Sequence, residues 1–231
     1  MPAPPLHSSQ PAYYTIGYYL AECGHLPDYH PQAPGRLLTA SHCFCRLHPD
    51  LIACYWNGWE TKKEPYQQKT GLSDEALASL SQHLSTMEID SDSRFERRAD
   101  AQHIRQTYFT QRNDIHLISI SLTAPYRDKL SPHGPANHIT KTLCTQKLDG
   151  GRHLGNDILG WDIGSFHTYL CNGLEQDIAA IHPLRLNTWG LIDNPYEEVE
   201  TYAELIQNQG EPVIWLPVAV HLHDAGYPAE T

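Results

Sequence analysis

From Asp114 to Thr123 the chain reads Asp-Ile-His-Leu-Ile-Ser-Ile-Ser-Leu-Thr, with Ile118, Ile120 and Leu122 alternating with Ser119 and Ser121. Period two gathers the three aliphatic side chains on one face of an extended strand, whereas a helix would scatter them around its axis. A strand needs partners, and the chain supplies several. Tyr13–Leu20 is aromatic and β-branched, and Leu37–Leu47 and Ile52–Trp59 flank the turn residues His48-Pro49-Asp50. Asp149-Gly150-Gly151 is expected to close a hairpin between strands near Leu143–Leu148 and Asp157–Ile163. Val213–Leu222 is a terminal strand, in which Pro217 points to an edge or a bulge.

Helical signals lie between these strands. Ser73 is placed to cap a helix whose face is Leu77, Leu80 and Leu84, with Leu72 stapling onto Leu77. Ser93-Arg-Phe-Glu96 has capping-box spacing for a second helix, with Phe95, Ala99 and Ile104 inward. From Ser165 the pattern turns helical until Pro183. Asn194-Pro195-Tyr196-Glu197 opens a helix with Asn as cap, an apolar stripe of Val199, Tyr202, Ala203 and Ile206, and Gly210 at its end. Residues 124–141, with three prolines and a glycine, read as a long surface loop, and 23–36 as another. Segregated strands and helices give an α+β class, with a mixed or mainly antiparallel sheet and helices packed on it.

With 231 residues and 40% hydrophobic composition, such a chain buries roughly 70–75% of its unfolded surface, so neither disulfides nor metal are required for a core. Residues 1–12 are expected to be a disordered tail and 13–231 one domain. A division into two lobes, 13–148 charge-balanced and 149–231 acidic, is the alternative. No signal-peptide pattern and no apolar run of spanning length occur, and the six scattered cysteines do not form a secreted disulfide pattern. A soluble cytoplasmic protein with reduced thiols is expected.

The net charge of −11 is unevenly placed. Residues 149–231 contain two basic residues, Arg152 and Arg185, and thirteen acidic ones, so this segment carries all of it. Such a field disfavours nucleic acid and anionic membrane and attracts basic partners. On the helix after Asn194, Glu197, Glu200 and Glu204 project together, opposite the apolar stripe. Glu197 and Glu198 suit the positive helix N-terminus, but like charges at i, i+3 and i, i+4 cost roughly 0.2–0.5 kcal/mol per pair, which a basic partner would relieve. Asp193, Glu197, Glu198, Glu200 and Glu204 are therefore the candidate partner-binding residues.

A competing chemistry lies in Gly160–Glu175. If Ser165 opens a helix, His167 and Cys171 stand one turn apart and Asp162 lies just upstream, as a cysteine-dependent hydrolase or transferase would use them. The bland alternative is a thiol packed beside Phe166 and Leu170. In Ser41–His48 the cysteines and histidines fall on opposite strand faces, so a structural metal is not expected there. His221 and His223 share a strand face and could hold a surface metal, although fifteen histidines produce such pairs by chance. No P-loop, dinucleotide fingerprint, H-E-x-x-H or G-x-S-x-G occurs, so no cofactor is expected.

The opening Tyr14-Thr-Ile-Gly-Tyr-Tyr19, His48-Pro-Asp with Trp56, the Gly160–Glu175 block, Gly190-Leu-Ile-Asp193 before the acidic helix, and Trp215-Leu-Pro217 together resemble a group of uncharacterised bacterial proteins, some of the immunity type encoded beside secreted toxins. The resemblance carries no catalytic motif. It implies a protein that neutralises a cognate toxin, and the acidic charge makes a basic enzyme such as a nuclease, covered at its active site, the expected partner.

Overall fold

The computed structural model describes residues 12–22, 71–87, 94–113, 115–130, 145–162, 165–168, 184–187, 189, 191–208 and 213–224. The strands expected at 37–47 and 52–59, the loop at 23–36 and the segment 41–48 lie outside the described residues.

The alternating segments assemble into one six-stranded sheet. Its strands are β1 (Tyr13–Glu22), β2 (Ile115–Thr123), β3 (Gln146–Lys147), β4 (Arg152–Asp162), β5 (Ser165–Thr168) and β6 (Ile214–Leu222). They lie in the order β3-β1-β2-β6-β4-β5, and every pair is antiparallel. The helices are α1 (Asp74–Ser85), α2 (Arg98–Tyr108), α3 (Ala124–Lys129) and α4 (Tyr196–Gln207), which completes an α+β fold. The sheet joins strands from both sides of residue 148, because β6 lies between β2 and β4.

The two helix faces anticipated from apolar spacing form as their patterns dictate. Ser73 caps α1 through its Oγ, which accepts from the Ala76 N–H at 3.2 Å, and Leu77, Leu80 and Leu84 are buried. In α4 the buried stripe is Tyr196, Val199, Tyr202, Ala203 and Ile206, packed with Ile158, Ile192, Val213 and Trp215. A larger cluster joins α1 and α2 to β1, β2, β4 and β6, including Tyr19, Phe95, Ile104, Ile118, Ile120 and Val220.

Several expectations are corrected. The helix after Ser93 starts only at Arg98, because Phe95 is taken up by a two-way backbone bridge to Tyr18 at 2.9 Å; Ala101 is buried in place of Ala99, which is exposed. Residues 124–129 are helical rather than loop, with Pro125 tolerated in the first turn where its missing N–H has no intrahelical partner. Asp149-Gly150-Gly151 does not close a hairpin, since β3 pairs with β1 while β4 pairs with β6 and β5. Ser165–Thr168 is a strand on β4, so the helix expected from Ser165 does not begin there. Its pairing with Leu159–Asp162 sets these four residues as strand, and the later members of the expected helical stripe lie outside the described residues. Asn194 does not cap α4; Pro195 precedes the helix and its carbonyl closes the first turn.

Pro217 sits in an interior strand, not at the sheet edge. The β2–β6 pairing covers only residues 219–222 of β6, so the missing Pro217 N–H removes no bond to β2. The Pro217 carbonyl instead accepts from the Tyr196 hydroxyl at 2.8 Å, which fastens α4 to the strand.

Candidate functional site

Helix α4 presents the predicted acids much as its period requires. Glu197, Glu198 and Glu204 are exposed. Glu200 is only half-exposed, and its Oε1 accepts from Thr123 Oγ1 at 3.4 Å. Burial raises the Glu200 pKa, and the charges of Glu197 and Glu204 raise it further, against the lowering effect of Thr123 and Lys129. The three carboxylates therefore feel one another. Glu198 is tied instead to Asn194, whose Nδ2 donates at 2.8 Å. Asp193 is exposed, and its backbone is held by Arg185: the Asp193 N–H donates to the Arg185 carbonyl at 2.7 Å, and Arg185 Nη2 donates back to the Asp193 carbonyl at 3.4 Å.

Two nearby cations also meet other groups. Arg127 lies 4.1 Å over the Tyr14 ring and pairs with Asp128 at 2.8 Å, and Lys129 lies 4.3 Å over Tyr126. Among the described residues, Glu197, Glu200 and Glu204 form no ion pair.

Beside the N-terminus of α4 a cleft of about 770 Å³ opens between the helix, the sheet and the segment 148–151. Asp193 and Glu197 line it together with Arg185, Tyr13, Asn156, His153 and His221. Register places Tyr13, Thr15, Tyr18, Ser119, Ser121, His153, Asn156, Ala219 and His221 on one face of the sheet, next to α4. The serines that alternate with isoleucines are thus internal: Ser119 and Ser121 are completely buried, and Ser121 Oγ lies 3.3 Å from Thr15 Oγ1.

Histidines dominate this polar layer. His221 packs edge-on to Tyr13 at 5.4 Å and against His153 at 5.3 Å, while His223 packs edge-on to Tyr18 at 5.6 Å. His223 Nε2 lies 2.8 Å from Ser119 Oγ. The pair has the spacing of a nucleophile and its base, but Ser119 is fully buried and, among the described residues, no acid meets His223 Nδ1, so the geometry is that of a structural bond. His221 and His223 are buried, not a surface pair. Burial lowers the His221 pKa to about 3, with His153 and His223 adding to the effect and the Ala219 carbonyl opposing it. Burial and then the Arg98 charge lower His223 to about 4, against Asp149 and Asp224.

Gly151 permits this stacking. Its φ is +95°, and an added Cβ would lie 2.8 Å from His223 Cε1 and 3.1 Å from His221 Cβ, so a side chain there would strike the His223 ring and crowd the His221 side chain at its base. A second buried group closes the end of β6. Asp224 accepts from His116 Nδ1 at 2.7 Å, from the Leu117 N–H at 3.0 Å and from Arg105 Nη1 at 3.0 Å. Burial would raise the Asp224 pKa, but these donors outweigh it and hold the carboxyl below its ordinary value.

The helix on which the cysteine reading set His167 and Cys171 does not begin at Ser165. Asp162 pairs in register with Ser165, and His167 with Gly160, on the β4–β5 hairpin. Cys171 lies outside the described residues. Asp193 and the α4 acids stand out in the sequence as a charge excess, whereas the cleft lined by Tyr13, His153 and Arg185 does not. The usable signal was the period-two His221/His223 pair, which marked a polar stripe on an otherwise apolar strand. Among the described residues no group of three or more His, Cys, Asp or Glu side chains could hold a metal ion, and no helix is long and apolar enough to cross a membrane. No protein-family model, curated protein or solved structure matches the chain.

Proposed function

We propose that this protein is a binding protein that neutralises a basic partner through the acidic face of α4, and that the partner is a cognate toxin enzyme, such as a nuclease, whose active site it covers. The observation that carries the reading is that Glu197, Glu200 and Glu204 share one face of α4 without an ion pair among the described residues, while Arg127 and Lys129 close by are stacked on tyrosines. Keeping like charges together disfavours the free protein and favours a complex in which opposite charge faces them. A nuclease groove is built to attract phosphate charge, so an acidic helix is complementary to it.

The products of the adjoining genes, expressed singly and together with this chain, provide the test. One of them is expected to be toxic alone, tolerated in the presence of this chain, and bound by it in purified form. Replacing Glu197, Glu200 and Glu204 by Gln is then expected to slow association and flatten the salt dependence of the on-rate, because steering acts through unpaired charge and is screened over about 8–10 Å. Association rates unchanged at low salt in the triple variant would overturn the assignment of this face.

A further inference from the structure

We infer that the cleft beside the N-terminus of α4 is a seat for a guanidinium group, carried by an arginine side chain of the basic partner. The inference rests on the reading of α4 as a partner-binding helix and assigns that partner's anchoring contact.

The cleft holds acceptors and aromatic surface suited to a planar, donor-only cation. Its size, about 770 Å³, falls within the range of pockets that bury a whole ligand group. Asp193 and Glu197 both line it and form no ion pair among the described residues. Tyr13 lines the same cleft, set edge-on to Tyr196 at 5.6 Å and to His221 at 5.4 Å, and a tyrosine ring can stack on a guanidinium plane.

The floor points the same way. His221 is 5% exposed, lines the cleft, and has no hydrogen-bond partner at Nδ1 among the described residues. A buried polar atom of this kind calls for a partner, and a neutral imidazole can take the tautomer that offers a lone pair. His153 adds a second acceptor. Asn156 Nδ2 donates to the Asn194 carbonyl at 3.0 Å, which leaves Asn156 Oδ1 as the acceptor 3.1 Å from His153 Nε2. His153 Nε2 must then carry the proton, and in the neutral ring Nδ1 keeps its lone pair. Glu197 and Glu200 also raise the Tyr13 pKa, after burial itself, so a negative field reaches the cleft.

An anionic ligand is less well served. The features that would favour one are Arg185 and the helix N-terminus. Arg185 is held to the Asp193 carbonyl, and the helix end already has Glu197 and Glu198 in its first turn.

The test uses the full chain and small probes, with no partner present, so the seat stands or falls independently of the association experiment above. N-acetyl-arginine amide is titrated while the ring resonances of Tyr13 and His221 are followed by NMR, with N-acetyl-citrulline amide and N-acetyl-glutamate amide as isosteric-neutral and anionic controls. Saturable shifts with the arginine probe alone are expected. Asp193→Asn with Glu197→Gln, both at exposed positions that leave the fold intact, should weaken binding about tenfold or more, as loss of charge-assisted contacts implies. Glu204→Gln, outside the cleft, should not. An equal response to citrulline or glutamate, or unchanged affinity in the double variant, would overturn the guanidinium seat. Tighter binding of free arginine than of the capped amide would overturn its assignment to a side chain of a protein.

Discussion

Acid should destabilise this fold well above the pH at which its carboxylates titrate, and the cause is the histidine layer under the cleft. Both rings are buried, His221 with pKa about 3 and His223 about 4. In the unfolded chain a histidine titrates near 6.5, at about 1.4 kcal/mol per pH unit of difference. At pH 7 both rings are largely neutral in folded and unfolded chains, and the stability is fully present. As the pH falls below the unfolded value, the unfolded chain takes up protons that the folded chain refuses, and stability is lost. By pH 5 each ring contributes a loss of about 2 kcal/mol, and the two together at most about 4 kcal/mol, a large share of the 5–15 kcal/mol typical of a domain. Asp224 acts later: its depressed carboxyl contributes stability that is lost only as the pH falls through its ordinary range toward its folded value. Urea unfolding of the wild type at pH 7 and pH 5, with a constant m-value, measures the effect. His221→Gln keeps hydrogen-bonding capacity without a charge and should remove about half of the difference. Equal wild-type stability at the two pH values, or a His221→Gln variant as acid-sensitive as its parent, would refute the reasoning.

Other outcomes follow from single contacts. Gly151→Ala should be strongly destabilising, because its Cβ strikes His223 and His221, whereas Gly150→Ala has open space and should cost only the left-handed backbone term of about 1–2 kcal/mol; thermal melts of the pair separate collision from strain. Tyr196→Phe should cost roughly 1–3 kcal/mol by leaving the Pro217 carbonyl without its 2.8 Å donor, as read by urea unfolding. Trp215→Ala, at a buried position under α4, should cost about 3–5 kcal/mol, and a loss under 1 kcal/mol would contradict the packing described. Replacing Glu197, Glu200 and Glu204 by Gln should stabilise the free protein by about 0.4–1 kcal/mol through two relieved like-charge pairs.

What the sequence disclosed depended on how local the cause was. α1 and α4 were legible because a capping hydroxyl or an N-terminal proline and a 3.6-residue apolar stripe act within one segment. β2 was legible from its alternation, but the burial of Ser119 and Ser121 was not, because it depends on His223 and Thr15, about a hundred positions away in the chain. The Asp149-Gly150-Gly151 turn misled for a similar reason. Both glycines adopt positive φ as a tight turn requires, yet the strands they join have different neighbours, and pairing is a property of the whole sheet. Ser165–Thr168 reads as the start of a helix because four residues following a strand carry too short a pattern to distinguish period two from 3.6. The acids at Asp193 and on α4 were visible as a charge excess, whereas the cleft is built from β1, β4, β6 and α4 and leaves no contiguous trace.

Helix α4 concentrates two opposing demands, and the way it meets them links fold to proposed function. Its inner face supplies Tyr196, Val199, Tyr202, Ala203 and Ile206 to the cluster around Trp215, and the Tyr196 hydroxyl fixes its first turn to β6. Burial of several large side chains contributes about 1.5–3 kcal/mol each, which far exceeds the few tenths lost to each like-charge pair on the outer face. The helix therefore remains formed although Glu197, Glu200 and Glu204 make no ion pair among the described residues, and its acids are held in place before a partner arrives. Such preorganisation lowers the ordering cost of association, so charge complementarity can act directly on the encounter rate. A partner that neutralises this face must also, by mass action, stabilise the fold by RT ln(1 + [L]/Kd), about 2.7 kcal/mol at a hundredfold excess over Kd. That increment should shrink with added salt if it arises from the outer face, and persist if the contact lies elsewhere.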